Sequence, residues 1–243
     1  MKKPNFTLSV DAETIAAKVL ITPDNESCTH VAETYLKNTV KFNDIKNFLG
    51  YTGTYLDKPV TVISAGIGMA QMGLLAEDLY ENYGVESIIY VGLCDSLTEA
   101  ILPKEYALIL SAATDSNYPD LLGLPGAVAP TADFLLTKDL YEDFLARKQL
   151  VNFKYERPTL HVVTTLSSDR RITDELEAAE WTEGGVSVAD TATAALFVKA
   201  QKAGKKAAAL LLVDRNAVTG EELPDKEYQR TCMRQIVLAL SNI

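Results

Sequence analysis

Histidine and cysteine are scarce in this chain of 243 residues. His30 and His161 are the only histidines, and neither sits in a close set of cysteines and carboxylates. The spacing therefore predicts no structural metal site and no resident cofactor. Cys28, Cys94 and Cys232 are odd in number and far apart, which excludes a disulfide framework and fits reduced, packed thiols. Positive charge is short as well. A formal net charge of -10 would repel nucleic acid and anionic membranes, so neither is an expected partner. No apolar run approaches the roughly 20 residues of a spanning helix. The opening MKKPNFTLSVDAET lacks the apolar stretch of a signal peptide, and a cytoplasmic location is the expectation.

What is present is a regular alternation of apolar runs. Strands are predicted at Lys18 to Ile21, Val60 to Ser64, Ser87 to Val91, Tyr106 to Ser111, Thr159 to Thr165 and Ala207 to Val213. Several are apolar on both faces, as central strands covered from two sides must be. Between them Met69, Met72, Ala76, Leu79 and Tyr83 recur at helical spacing, with Gly84 as a stop. Thr131 to Lys148, Thr191 to Ala203 (ended by Gly204) and Pro224 to Ser241 read as further helices. Residues Asp115 to Pro130, with Pro119, Gly123, Pro125 and Gly126, read as a long surface loop of the kind that borders sites or subunit contacts. The expected architecture is a single α/β domain over 1–243, a mixed twisted sheet with helices on both faces.

One phrase, Gly66-Ile67-Gly68 between a strand and a helix, is by itself a weak signal that a tight turn also explains. The order of phrases around it is specific. VLITPD, HVAETYL, NFLGYTGTY, AGIGMA, YGVESIIYVGLCD and ATDSNY follow one another, with TTLSSD, DTATAALF and LLLVDRNAVTGEELP beyond. This series resembles the hexameric-type bacterial purine nucleoside phosphorylases over nearly the whole chain. The resemblance implies the nucleoside phosphorylase fold, an N-glycosidic bond cleaved with phosphate, a nucleoside, nucleobase or phosphate as ligand, and dimers assembled into a hexamer.

It also implies a site, and the site is altered. At the phosphate end the family's glycine falls at Pro23, its loop arginine at Ser27, a neighbour's arginine at Lys46, its strand arginine at Tyr90 and its serine at Leu93. A proline removes an N–H, and only Lys46 keeps a cation. At the ribose end a neighbour's histidine falls at about Thr7, a methionine at Ile67 beside Gly66, and the Glu-Met-Glu phrase at Asp190-Thr191-Ala192, so the carboxylate on the ribose hydroxyls becomes Ala192. Asp190 would reach that place only through an irregular helix start.

At the base end the stacking aromatic falls at Arg171, the next tyrosine at Ile172, the Ser-Asp pair of the general acid at Asp214-Arg215, and its assisting arginine at about Tyr228. Arginine does not release its proton near neutral pH and cannot serve as that acid. Val213-Asp214-Arg215 followed by Glu222-Leu223-Pro224 is, however, similar to a uridine phosphorylase segment whose arginine contacts the base.

Two readings of Arg170, Arg171 and Arg215 stand open. They either form a new anion or ligand site, or pair with Asp190, Asp214 and nearby acids to fill the old cavity. Tyr90 and Leu93 are expected to plug the phosphate cavity. Cys94 reads as a packed thiol, His161 as structural, and Lys205-Lys206 as a solvated turn. The expectation is a family member with little or no phosphorolysis. The alternative is a divergent phosphorylase or nucleosidase using Asp190, Asp214 and Arg215 in new roles.

Overall fold

The computed structural model describes residues 7, 8, 10–119, 123, 126–147 and 159–243, and the backbone of 148–150. The lysines of the N-terminal phrase and Pro125 of the expected loop lie outside these residues.

After a short turn at Ala12–Thr14, the chain runs β1 (Lys18–Thr22), α1 (Asn25–Thr34), β2 (Lys37–Asn43), β3 (Gly50–Tyr55), β4 (Lys58–Ser64) and α2 (Met69–Asn82). Then come β5 (Ser87–Ser96), β6 (Tyr106–Thr114), α3 (Phe134–Leu150), β7 (Leu160–Ser167) and α4 (Glu175–Glu183). It ends with β8 (Val186–Asp190), α5 (Thr193–Ala203), β9 (Lys206–Asn216) and α6 (Asp225–Ser241). All six expected strands and four expected helices are present. Helix α3 starts later than Thr131 because that residue bridges to Ser111, while Asp133 caps the helix through the Leu136 N–H at 2.8 Å.

Nine strands form one mixed sheet in the order β2-β3-β4-β1-β5-β8-β7-β6-β9, and β9 also pairs with β5. The last five strands of that order therefore close a ring. Strands β4, β1, β5 and β9 run parallel, whereas β6 meets β9, and β8 meets β5, antiparallel. The sheet is thus mixed, as expected, but half of it is curled into a barrel-like unit that removes the free edges of β5 and β9.

Helices α2 and α5 cover one face through Met69, Met72, Leu75, Leu79, Leu196 and Phe197. The other face packs on α1, α3 and α6 through Val31, Leu140, Phe144, Ile236 and Ala239. A smaller cluster of Leu97, Leu166, Ile172, Ala178 and Val186 lies under α4. Gly204 ends α5 at φ 64, the left-handed cap that its lack of Cβ permits. Among the described residues no helix is long and apolar enough to cross a membrane.

Candidate functional site

The ends of β5, β8 and β9 meet at one point. Strands β5 and β9 pair in register from Ser87↔Lys206 to Cys94↔Val213, and then the register slips so that Asp95 faces Arg215. Asp214 is the extra residue of that bulge, and its carbonyl is held by the Leu223 N–H at 2.7 Å. Bulges of this kind re-aim side chains where pairing ends. On the other edge of β5, Asp95 faces Ala189, which brings Asp190 alongside. Asp95, Asp190 and Asp214 so converge around buried Cys94; burial pushes its thiol well up, and the charges of Asp190, Asp214 and Asp95 add to that. Packing rather than nucleophilic use suits such a thiol.

Asp95 is the hub. Arg171 holds it with two parallel bonds, Nη2 to Oδ1 at 2.6 Å and Nε to Oδ2 at 3.2 Å. Arg215 adds Nη2 to Oδ2 at 2.8 Å and also donates to the Ile172 carbonyl at 2.7 Å. Burial acts to raise the Asp95 carboxyl, but the hydrogen bonds from Arg215 and Arg171 outweigh it and hold the group below its ordinary value. Asp214 is shifted the other way, upward, by burial first and by the charge of Asp95 second. The Nε of Arg215 is buried without an acceptor.

Arg171 and Arg215 pair with a nearby acid, Asp95, and among the described residues neither Asp190 nor Asp214 takes an arginine. Arg170 turns away and forms a bidentate pair with Glu177 on α4. Asp190, only 6 % exposed, holds the turn that opens α5 instead. Its Oδ2 accepts from the N–H groups of Ala192 and Thr193 and from Thr193 Oγ1, each at 2.8 Å. Its Oδ1 accepts from Ser167 Oγ at 2.7 Å and Thr165 Oγ1 at 3.2 Å. Both oxygens of Asp190 are thus engaged at the start of α5, and Ala192 is only 1 % exposed. Thr191 lies between them, half-buried.

At the other expected positions the outcome is mixed. Tyr90 is buried in the α2/α5 core and lies back over Gly92, where an added Cβ would come within 2.4 Å of its hydroxyl. Leu93 leaves the opposite face and packs near Tyr228 and Cys232. One joint plug is thereby corrected to two separate fillings, because positions three apart on a strand face opposite ways. Pro23 precedes Asp24, whose carboxylate caps α1 by accepting from the Ser27 N–H at 2.7 Å and Ser27 Oγ at 2.9 Å. Lys46 is exposed in the β2–β3 turn at φ 56.

Gly66 at φ 70 and Gly68 at φ 99 make the glycine phrase a left-handed turn, with Ile67 78 % exposed at its tip. Thr7 is wholly buried and bonded to Asp78 of α2 in its own chain. His161 pairs with Glu105 at 2.8 Å, and among the described residues no serine is bonded to that histidine. Lys205 pairs with Glu86 at 2.6 Å. Beside this site, at the end of β6, a hollow of about 550 Å³ is lined by Thr114, Asp115, Ser116 and Asn117 and by 126–130 of the expected loop. Ser168 ties it to β7 by donating to Asp115 at 3.0 Å. Among the described residues no group of three or more metal-ligating side chains is placed to hold an ion.

The family model described as "Phosphorylase superfamily" matches residues 18–242. The chain belongs to the phosphorylase superfamily. Curated relatives named "Purine nucleoside phosphorylase DeoD-type" agree with it. The one from Geobacillus kaustophilus (strain HTA426) is 32% identical over 226 residues, covering 93% of this chain and 92% of its own length. That from Listeria innocua serovar 6a (strain ATCC BAA-680 / CLIP 11262) is 33% identical over 228 residues, covering 93% of each. A crystal structure of uridine phosphorylase from Vibrio fischeri ES114 superimposes with a TM-score of 0.84 over 99% of this chain and 97% of that one. At 20% identity that likeness speaks for the fold alone. The chain is therefore a nucleoside phosphorylase-family protein of the purine/uridine type.

Within the superfamily frame, the residue that sequence reasoning passed over is Asp95. It closes the phrase IIYVGLCD, and an acid at the end of a both-face-buried strand, with arginines in two later segments, was the available signal.

Proposed function

We propose that this chain is a superfamily member with little or no phosphorolytic activity, which keeps a pocket for a nucleoside or nucleobase. We also infer one domain over 1–243, a cytoplasmic location and a homo-oligomer, a dimer or a hexamer built from dimers. One observation carries the loss of phosphorolysis: both guanidinium groups at the strand ends, Arg171 and Arg215, are committed to Asp95. A phosphate dianion needs unspent cationic forks and N–H groups. Here the strand position for an arginine is a buried phenol, Tyr90, and the N–H of Ser27 is answered by Asp24.

The test is direct. Purified protein is incubated with inosine, adenosine and uridine, with and without phosphate, and base release is followed. No phosphate-dependent release is expected; clear phosphate-dependent release overturns the proposal. Thermal shifts with nucleosides, bases and ribose 1-phosphate then report ligand retention, and a nucleoside or base is expected to stabilise the protein.

A second reading, a nucleosidase that uses water, rests on Asp214. Its half-buried carboxyl is shifted upward and takes neither arginine, as a proton donor to a departing base would require. Base release that is independent of phosphate and abolished by Asp214→Asn would favour this reading.

A further inference from the structure

We propose that Asp95 sets the charge class of ligand the pocket admits: it occupies the guanidinium fork of Arg171 and Arg215 as a built-in carboxylate and so excludes oxyanions in favour of neutral ligands. The inference rests on the non-phosphorolytic reading above and extends it to ligand selectivity.

Two planar guanidinium groups from different segments, one on β9 and one between β7 and α4, converge on a single carboxylate. Without Asp95 they would form an oxyanion site of the bidentate kind. Asp95 is anchored where it stands, because its backbone is paired on both edges, with Ala189 and with Arg215, and its carboxylate takes three bonds from the two guanidinium groups. Its side chain is only 8% exposed, whereas that of Arg171 is 59% exposed, so the fork opens outward while its occupant sits inside. An incoming anion would have to displace a carboxylate that already holds three arginine bonds, with the charges of Asp190 and Asp214 close by. A neutral acceptor meets no such barrier.

The experiment compares the wild type with Asp95→Asn, Asp95→Ala and the double variant Asp95→Asn/Arg171→Ala. Inorganic phosphate and sulfate are titrated against chloride at constant ionic strength, with calorimetry and thermal shift as readouts. Phosphate is expected to bind Asp95→Asn roughly tenfold or more tighter than the wild type, and the gain to disappear in the double variant. Asp95→Asn keeps the volume of the aspartate, so the test stands if Asp95→Ala fails to fold. The proposal is overturned if phosphate binds Asp95→Asn no better than the wild type, or if the double variant retains the gain. A wild type that turns over nucleoside with phosphate would sink the functional proposal instead, and the two failures are distinguishable.

Discussion

Replacing Asp190 by alanine should test whether that carboxylate belongs to the frame or to a ligand. Five donors converge on its two oxygens: the N–H groups of Ala192 and Thr193 and the hydroxyls of Thr193, Ser167 and Thr165. Loss of a helix cap costs about 0.5–2 kcal/mol. Each buried donor left without a partner adds about 1–3 kcal/mol. The hydroxyls have other outlets, since Thr165 also donates to the Val188 carbonyl at 3.3 Å, so the two fixed N–H groups dominate. The cap cost is the loss of these same bonds, so the two donors counted once give about 2–6 kcal/mol, with a centre of about 3–5 kcal/mol. For a chain of this size that corresponds to a fall in Tm of roughly 6–20 °C. Asp190→Asn keeps an acceptor oxygen and should cost roughly 1–3 kcal/mol. Urea unfolding followed by far-UV circular dichroism, at one protein concentration because assembly would contribute, reads both values. An Asp190→Ala protein within about 1 kcal/mol of the wild type, well below the predicted cost, would refute the capping role. If it also lost stabilisation by nucleosides, Asp190 would be a ligand group.

Other predictions concern charge, packing and thiols. Asp214 sits above its unfolded value, so in that window the folded chain holds a proton the unfolded chain has lost, and stability falls as pH rises. Asp214→Asn should remove this slope and gain on the wild type in Tm toward neutral pH. Asp95 is the opposite case: its contribution is present above the ordinary aspartate range of about 4 and is lost as pH falls through its lower folded value, so Asp95→Asn should level with the wild type only in strong acid. Gly92→Ala should cost about 1–3 kcal/mol because its Cβ would press on the Tyr90 hydroxyl and on the ring itself at 2.5 Å. Adding Tyr90→Leu should restore part of that loss in the same denaturation assay. With Ellman's reagent the native protein should react slowly and only at Cys232, which is half-buried and pushed up to about 11, while denaturation exposes all three thiols.

The central frame was legible in the chain because burial leaves a plain record. Strands β5 and β9 are apolar on both faces, and the helix from Met69 repeats its large residues at helical spacing. Strands β2, β3 and β8 were not read as strands. β2 is an exposed edge strand whose alternation is confined to Val40 and Phe42, with Val40 itself exposed, and β8 is only five residues long. Helices α1 and α4 are short and mostly polar, each begun by a capping acid, Asp24 or Asp174, and the stripe of α1 is only Cys28, Val31 and Ala32. At the site, the identity of the altered positions could be read from phrase order, but the pairing could not. Which acid receives Arg171 and Arg215 depends on a single register slip after Cys94, and no local pattern records it.

The ring of strands has a consequence for how the molecule is made. Arg215 and Asp95 are 120 residues apart in the chain, yet they meet across one strand pair. During synthesis β5 emerges long before β9, and until β9 arrives β5 has an unfilled edge of buried-type residues. Contacts of such long sequence separation are slow to form, because loop closure comes before any reward in packing. The site is thus among the last parts of the protein to exist. A chain interrupted before Lys206 lacks Asp214 and Arg215 and leaves a bare apolar edge on β5 that is prone to pair with a stranger.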